Sequence, residues 1–223
     1  MLLPIENVLT AAEAIEFQRA LQAADWSDGR ITAGHQSARA KRNLQLAQDD
    51  ALAQQLSARV LEKLASNPLF IAAALPHKVF PPLFNAYREG MDFGNHIDNA
   101  IRGDEERLRT DISCTLFLSD PADHDGGELV IGDLYGPQKV KLAAGSMLLY
   151  PASSLHRVAP VTRGTRLAAF FWVQSMVRDA MQRRLLLDLD LAIQGLRRNH
   201  GESTELVSLS GLYHNLLRSW ANL

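Results

Sequence analysis

The stretch DISCTLFLSDPADHDGGELVIGDLYGPQKVKLAAGSMLLYP, residues 111–151, decides the fold class of this chain. Short apolar or alternating runs are separated by turns rich in Gly, Pro and Asp, which is typical of β-strands. The run TRLAAFFWVQSMV at residues 165–177 continues the pattern. Because no helical segment separates these runs, we expect mainly antiparallel sheets, as a sandwich or small barrel, over a β core of about residues 78–177.

The segment before this core, residues 1–75, is predicted to be mainly helical, and its helices are expected to cover the outer face of the β core. Thr10 and Glu13 have the spacing of a capping box ahead of an amphipathic helix. A second helix is expected over residues 49–65, and Asn67-Pro68 ends it. Between the two helices, the polar and basic residues 33–43 indicate a loop or a short edge strand.

The segment after the core, residues 178–223, is predicted to form a helical hairpin with its turn at residues 199–203. The first helix carries an apolar stripe of Met181, Leu185, Leu189, Ala192 and Leu196. We expect this stripe to pack on the core or across a subunit interface, so homo-oligomerisation through these helices is a hypothesis. The chain is thus predicted to be α+β with a mainly β core, divided into a domain of residues 1–177 and a hairpin of residues 178–223.

Composition excludes several classes of protein. The chain has 223 residues, 47% of them hydrophobic, and a formal net charge of −2, which does not favour nucleic acid or an anionic membrane as a partner. Cys114 is the only cysteine, so neither an internal disulfide nor a thiolate zinc cluster can form. The start MLLPIENVL is a poor signal peptide, and no apolar run is long enough to span a bilayer. We therefore expect a soluble, cytoplasmic protein.

Three residues in the β region have the chemistry of a metal site. His96 and Asp98 are two positions apart, so in a strand both side chains point to the same face. His156 follows another strand-like run. Two histidines and one carboxylate form the facial triad of non-haem Fe(II) oxygenases, which leaves coordination positions open. Zinc accepts the same donors, so the ligand set alone does not select iron.

Arg166, ten residues beyond His156, adds discrimination. A guanidinium fork suits a carboxylate, and a buried arginine in a barrel needs an anionic partner. A non-catalytic metal-binding sensor does not need such an anchor, whereas the other class, a zinc-dependent hydrolase or cupin-like isomerase, is distinguished by the nearby general base that a hydrolase needs. These two classes remain alternatives to an oxygenase. A second H-x-E motif, His200-Gly201-Glu202, lies in the C-terminal turn and is interpreted as surface polar residues.

The motifs together resemble a known family. Tyr87-x2-Gly90-x2-Phe93-x2-His96-x-Asp98, Gly126-Gly127-Glu128-Leu129, His156 and Arg166 are similar to the prolyl-hydroxylase-type, 2-oxoglutarate- and Fe(II)-dependent oxygenases, and more closely to bacterial PKHD-type hydroxylases associated with iron uptake. The resemblance covers nearly the whole chain, including the segment GHQSARAKRNLQL and the C-terminal extension.

This resemblance implies a double-stranded β-helix, or jelly roll, with iron between its two sheets. It assigns His96, Asp98 and His156 to the metal, and Arg166 to the distal carboxylate of 2-oxoglutarate, where many prolyl hydroxylases have lysine. Tyr87 matches a tyrosine that often hydrogen-bonds the same cosubstrate. The implied activity is hydroxylation, with dioxygen and 2-oxoglutarate, of an unidentified protein residue or small molecule tied to iron uptake. Ascorbate is an expected further cofactor.

Four smaller expectations concern residues around the site. Gly126-Gly127 is predicted to form a hairpin turn, with His124 exposed in a loop beside it. Cys114 is expected to be a core residue that faces away from the metal. Ala168, Phe170 and Trp172 share the strand face of Arg166 and are expected to line the pocket if Arg166 points inward. A basic loop is interpreted as solvated charge rather than as a clamp for an anionic substrate; it contains His35, Gln36, Arg39, Lys41 and Arg42.

Overall fold

The structure is a computed structural model that describes residues 1–32, 40–103, 106–133 and 135–223. Within these ranges there are five α-helices: α1 (Ala11–Gln22), α2 (Ala51–Ala65), α3 (Pro68–Ala74), α4 (Ala180–His200) and α5 (Thr204–Trp220). The expected capping box is present, because Thr10 Oγ1 accepts from the backbone N–H of Glu13 and the Glu13 carboxylate accepts from that of Thr10. Asp50 caps α2 through the N–H of Ala53.

The strands of the described residues form two main antiparallel sheets. In chain order they are β1 (Leu3–Ile5), β2 (Ser27–Asp28), β3 (Lys41–Arg42), β4 (Leu44–Gln45), β5 (Pro76–Val79), β6 (Leu83–Tyr87), β7 (Asp92–His96), β8 (Ile101–Arg102), β9 (Leu108–Arg109), β10 (Ile112–Phe117), β11 (His124–Gly126), β12 (Leu129–Ile131), β13 (Gln138–Val140), β14 (Met147–Pro151), β15 (His156–Val158), β16 (Val161–Gly164) and β17 (Arg166–Ser175). The large sheet has the order β1-β14-β10-β17-β6-β4-β2, with β5 also paired to β17. The small sheet has the order β13-β12-β15-β7-β3. β8 pairs with β9 and β11 with β16 in two-stranded ladders.

The two sheets face each other as the layers of a jelly roll. Phe117, Leu148 and Tyr150 of the large sheet form one apolar cluster with Leu129 and Ile131 of the small sheet. The α+β class and the mainly antiparallel core predicted from the sequence are confirmed, since every ladder between described strands is antiparallel.

The outer face of the large sheet is covered by helices, as predicted. Phe17 and Leu21 of α1 and Val60 of α2 are fully buried in one cluster with Ala169 and Phe171 of β17. Because β17 is covered on this face and lines a cavity on the other, its sequence is apolar at nearly every position instead of alternating.

The N-terminal segment departs from the prediction in two ways. Residues 1–75 also contribute strands: β1 is an edge of the large sheet, and β4 pairs with β6. These strands are two or three residues long, too short for a periodicity to be recognised. Asn67 follows the end of α2 as predicted, but its side chain also caps α3 through the N–H of Phe70, with Pro68 in the first turn. Proline suits a first helical turn, because its missing N–H has no partner there.

The C-terminal helices form the predicted hairpin. Leu186 of α4 joins Leu75 and Val177 in a buried cluster against which Leu217 and Trp220 of α5 pack. The first stripe, however, was partly misplaced. Of its members, Met181 and Leu185 are 66% and 50% exposed, and Leu196 is exposed as well, whereas the buried residues of α4 are Arg183, Leu186, Leu187 and Ile193.

The basic loop is only partly described. His35, Gln36 and Arg39 lie outside the described residues. Arg42 is exposed and paired with Asp92 at 2.7 Å, in agreement with solvated charge. Lys41 contradicts that interpretation, because it is buried and its Nζ donates to Gln45 Oε1 at 2.8 Å. It lies on β3, which pairs with β7 at the edge of the small sheet, and this pairing turns its side chain inward.

None of the helices in the described ranges combines the length and the apolar character that crossing a membrane requires.

Candidate active site

Two neighbouring strands of the small sheet bring the predicted metal ligands together. β7 and β15 are antiparallel, and His96 is the cross-strand partner of His156. The two imidazole rings have centroids 4.2 Å apart, and His156 Nε2 lies 3.8 Å from Asp98 Oδ2. One donor atom from each of the three residues falls within 4.8 Å of the others. Asp98 lies just after β7 and not within it, so the irregular segment that follows His96, and not the expected strand alternation, positions this residue.

Hydrogen bonds orient the three donors. Nδ1 of His96 lies 2.8 Å from the carbonyl of Gly94, and Nδ1 of His156 lies 2.9 Å from that of Ser154. A carbonyl only accepts, so each Nδ1 carries the proton and each Nε2 keeps a lone pair for a metal. Ser113 Oγ donates to Asp98 Oδ2 at 2.5 Å, which holds the carboxylate from the opposite sheet.

The environment of His96 keeps its imidazole neutral. Burial, followed by the neighbouring His156, lowers the pKa of His96 to about 4. Phe93 stacks on the ring with a centroid distance of 3.6 Å. A neutral imidazole is the form that binds a metal, so the donor set fits a divalent cation with three protein ligands on one side.

Arg166 begins β17, opposite Tyr87 of β6, in the same cavity. Its side chain is 2% exposed, and it forms no hydrogen bond or ion pair with a described residue. The guanidinium carbon lies 5.2 Å from the ring centre of Tyr87 and 5.6 Å from that of Phe117. Burial lowers the pKa of Arg166 and raises that of Tyr87 to about 12. An arginine keeps its charge even so, and a buried cation without a partner is costly unless an anion joins it.

The glycine pair beside Arg166 does not form the expected hairpin turn. β11 and β12 do not pair with each other; Gly126 and Gly127, both at φ +70, carry the chain from one ladder to the next. A Cβ on Gly127 would lie 3.0 Å from Arg166 Cδ and from His124 Nδ1. Because glycine has no Cβ, the backbone at Gly127 can approach the side chain of Arg166 closely.

His124 was also predicted wrongly. It is buried, its Nδ1 lies 3.0 Å from the carbonyl of Gly126, and burial lowers its pKa to about 4. Its position next to two glycines suggested an exposed loop, but the β11–β16 ladder encloses it.

The cavity that holds these groups is open to solvent, and the empty space within it and at its mouth, including open solvent, is about 770 Å³. Phe170 and Trp172 line it along β17, as expected from their shared face with Arg166.

Cys114 borders the cavity but belongs to the helix-covered core, and burial raises its thiol pKa well above the usual value, as expected for a core residue. Ser113, Lys41 and Arg102 are lining residues that sequence reasoning missed. Of these three, only Ser113 could have been predicted to line the cavity. It is the neighbour of Cys114 on β10, so its side chain points to the opposite face of the sheet from a residue expected to face away from the metal.

Comparison with known proteins identifies the family. Residues 82–174 match the family model of the 2OG-Fe(II) oxygenase superfamily, and residues 180–222 match that of the PKHD-type hydroxylase C-terminal domain. A PKHD-type hydroxylase of Pseudomonas putida strain W619 is 58% identical over 226 residues, covering 100% of both chains. The chain belongs to the PKHD-type hydroxylase family. The resemblance inferred from the sequence motifs is thereby confirmed.

Solved structures agree with this assignment at the level of the fold. A prolyl-4-hydroxylase of Pseudomonas putida superposes with a TM-score of 0.53 at 20% identity, over 78% of this chain and 92% of that one. A prolyl hydroxylase of Trichoplax adhaerens, solved with a peptide fragment of hypoxia inducible factor, gives 0.56 at 18% identity, over 83% and 86%. The family model and the full-length relatives, and not these fold matches, show that the chain is a 2-oxoglutarate-dependent dioxygenase. They do not support the non-catalytic sensor or the zinc-dependent hydrolase or isomerase.

Proposed function

We propose that this PKHD-type hydroxylase binds Fe(II) through His96, Asp98 and His156, and 2-oxoglutarate through Arg166, to hydroxylate a second substrate. The observation that carries the proposal is the buried guanidinium of Arg166, which has no partner among the described residues and shares one cavity with three convergent metal donors. A dicarboxylate that chelates a metal at one end and needs a cation at the other matches this arrangement.

Each residue has a distinct task in this proposal. The imidazoles of His96 and His156 and the Asp98 carboxylate occupy one side of the metal, and Ser113 keeps the carboxylate in place. Arg166 pairs with the distal carboxylate of 2-oxoglutarate, and Tyr87, its cross-strand neighbour, holds the same end. When bound, iron supplies the redox chemistry by which dioxygen oxidises 2-oxoglutarate to succinate and carbon dioxide and the second substrate to its hydroxylated product. The apolar walls of the cavity limit the access of water to these groups.

The test is anaerobic addition of Fe(II) and 2-oxoglutarate to the metal-free protein, followed by exposure to air. We expect a weak visible charge-transfer band before air and formation of succinate after it. Zn(II) is the matched control, because a closed-shell ion gives no such band. If Fe(II) and 2-oxoglutarate give neither the band nor succinate, the proposal is wrong.

Two further parts of the proposal come from the family resemblance, and two come from the sequence. Ascorbate is proposed to sustain activity by reducing oxidised iron, and added ascorbate should prolong succinate formation. The substrate is proposed to be a protein residue or a small molecule linked to iron uptake, and mass spectrometry should detect its product as a gain of one oxygen atom.

A cytoplasmic location is proposed and is tested by cell fractionation. Residues 1–177 and 178–223 are proposed as jelly-roll domain and appended hairpin, a division that limited proteolysis tests.

We also propose self-association through the exposed stripe of α4. Met181, Leu185 and Leu196 present apolar surface to solvent in the single chain, and contiguous exposed apolar surface is a feature of protein–protein interaction sites. Sedimentation should show a dimer that Leu185→Glu dissociates, because a charge in an apolar interface is left without a partner. Arg184→Glu, on an exposed face of the same helix, is the control. A monomer for the unaltered chain would contradict self-association.

A further inference from the structure

The outer half of the active-site cavity carries a second cationic group, separate from Arg166. Arg102, on the β8–β9 hairpin, places its guanidinium carbon 4.0 Å from the ring centre of Trp172. Trp172 is six residues beyond Arg166 on the same face of β17, which corresponds to about 20 Å along the strand. The two arginines therefore mark opposite ends of one cavity wall.

Arg102 has the features of a binding group whose ligand is another molecule. Its Nε is buried, and the guanidinium forms neither a hydrogen bond nor an ion pair with any residue in the described ranges. Burial lowers the pKa of Arg102. Leaving a buried donor unsatisfied costs free energy, whereas stacking on an aromatic ring supports the charge without using its hydrogen-bonding capacity.

Lys41 is another cation close to Arg102. Lys41 Nζ is 5.7 Å from the ring centres of both Phe93 and Phe170, and the ring of Phe170 is 5.6 Å from that of Trp172. After burial, the closeness of Arg102 is the main cause that lowers the pKa of Lys41, to about 8. The charge of Asp28 acts in the opposite direction on the pKa of Lys41, and an anion bound at Arg102 would reduce the repulsion between the two cations further.

The charges of the inner site are already balanced in the proposed complex. A divalent metal, the Asp98 carboxylate, the 2-oxoglutarate dianion and Arg166 cancel one another. Arg102 then has no ion-pair partner among the described residues, and the aromatic wall of Phe170 and Trp172 offers apolar cavity surface next to it. We propose that the second substrate is an organic anion whose carboxylate-like group pairs with Arg102 and whose apolar body lies against this aromatic wall. This inference rests on the proposed function, because it assigns Arg166 to 2-oxoglutarate.

The test compares a carboxylate with its neutral amide. Binding of 4-phenylbutanoate and 4-phenylbutanamide to the anaerobic Fe(II)- and 2-oxoglutarate-loaded protein is measured by equilibrium dialysis, while the charge-transfer band reports that 2-oxoglutarate stays bound. We expect the carboxylate to bind about tenfold more tightly than the amide, since one charge-assisted hydrogen bond corresponds to about that factor or more. Arg102→Gln should remove this preference, and Arg102→Lys should keep part of it.

Arg42→Gln is the matched control. It removes the same charge from an exposed residue next to Lys41 that is paired with Asp92, so it should leave the preference unchanged. Equal binding of the two probes by the unaltered protein, including no binding of either, overturns the inference. So does an Arg102→Gln variant that keeps the preference, since Arg102 would then only support Trp172. Loss of the band in the unaltered protein is a different result and contradicts the proposed function itself.

Discussion

Asp98→Ala is expected to abolish succinate formation and the anaerobic charge-transfer band. The variant loses the only carboxylate of the donor set, which Ser113 holds by a 2.5 Å hydrogen bond. Loss of a residue that merely supports a metal ligand costs about 10–100-fold in affinity or activity, so loss of the ligand itself should exceed that range. His96→Ala should behave in the same way. Fe(II) affinity, measured by anaerobic equilibrium dialysis, is the direct measurement.

The chain contains its own control for this experiment. His200 and Glu202 repeat the H-x-E pattern outside the cavity; both are exposed, and Glu202 is paired with Arg197. His200→Ala with Glu202→Ala should therefore leave Fe(II) affinity and the band unchanged. Ser113→Ala should give an intermediate loss, because the carboxylate remains but is no longer held. If Asp98→Ala binds Fe(II) as tightly as the unaltered protein, the metal assignment is wrong.

Arg166→Gln is expected to weaken 2-oxoglutarate binding by about 10²–10³-fold, since truncating one partner of a buried charge pair costs about 2–5 kcal/mol. Fe(II) binding should remain, because Arg166 is not among the metal donors. The measurements are the concentration of 2-oxoglutarate that half-saturates the band and the rise in melting temperature that 2-oxoglutarate causes. A ligand that binds the folded state raises the melting temperature, so at the same 2-oxoglutarate concentration this rise should be much smaller in the variant than in the unaltered protein.

Two further variants make this result specific. Arg166→Lys keeps the positive charge but not the two-pronged donor geometry of the guanidinium, so it should recover part of the affinity for 2-oxoglutarate. Arg163→Gln removes an exposed arginine three residues earlier, paired with Asp125 at 2.7 Å, and should change nothing. Normal 2-oxoglutarate affinity in Arg166→Gln would show that the guanidinium pairs with some other anion.

Much of the fold was predictable because it depends on local patterns. The strand-like runs of residues 111–151, the capping box at Thr10 and the helical spacing after residue 178 all led to elements that the structure contains. The shortest elements were missed: β1 and β4 have too few residues to show a period, and α3 begins where Asn67-Pro68 suggested only an end. The stripe on α4 was misplaced because apolar residues occur on both of its faces, and periodicity does not say which face is covered.

Residues of the candidate site were predictable in identity but not in arrangement. The residue types and order of His96, Asp98, His156 and Arg166 indicated a metal and an anion before any contact was known. The hydrogen bond from Ser113 to Asp98 joins the two sheets, and the stacking of Arg102 on Trp172 joins a hairpin to β17. Neither pair shares a motif, so neither could be found from spacing.

The sequence by itself determined which elements form and which donor atoms are available, because both follow from residue types over a few neighbouring positions. Only the tertiary structure decided that His124 and Lys41 are buried, that β7 and β15 are neighbours, and that Arg166 and Arg102 are enclosed without an ion-pair partner among the described residues. These properties depend on which distant segments lie against each other. The free energy of a buried charge is set by that three-dimensional neighbourhood, which the local sequence does not encode.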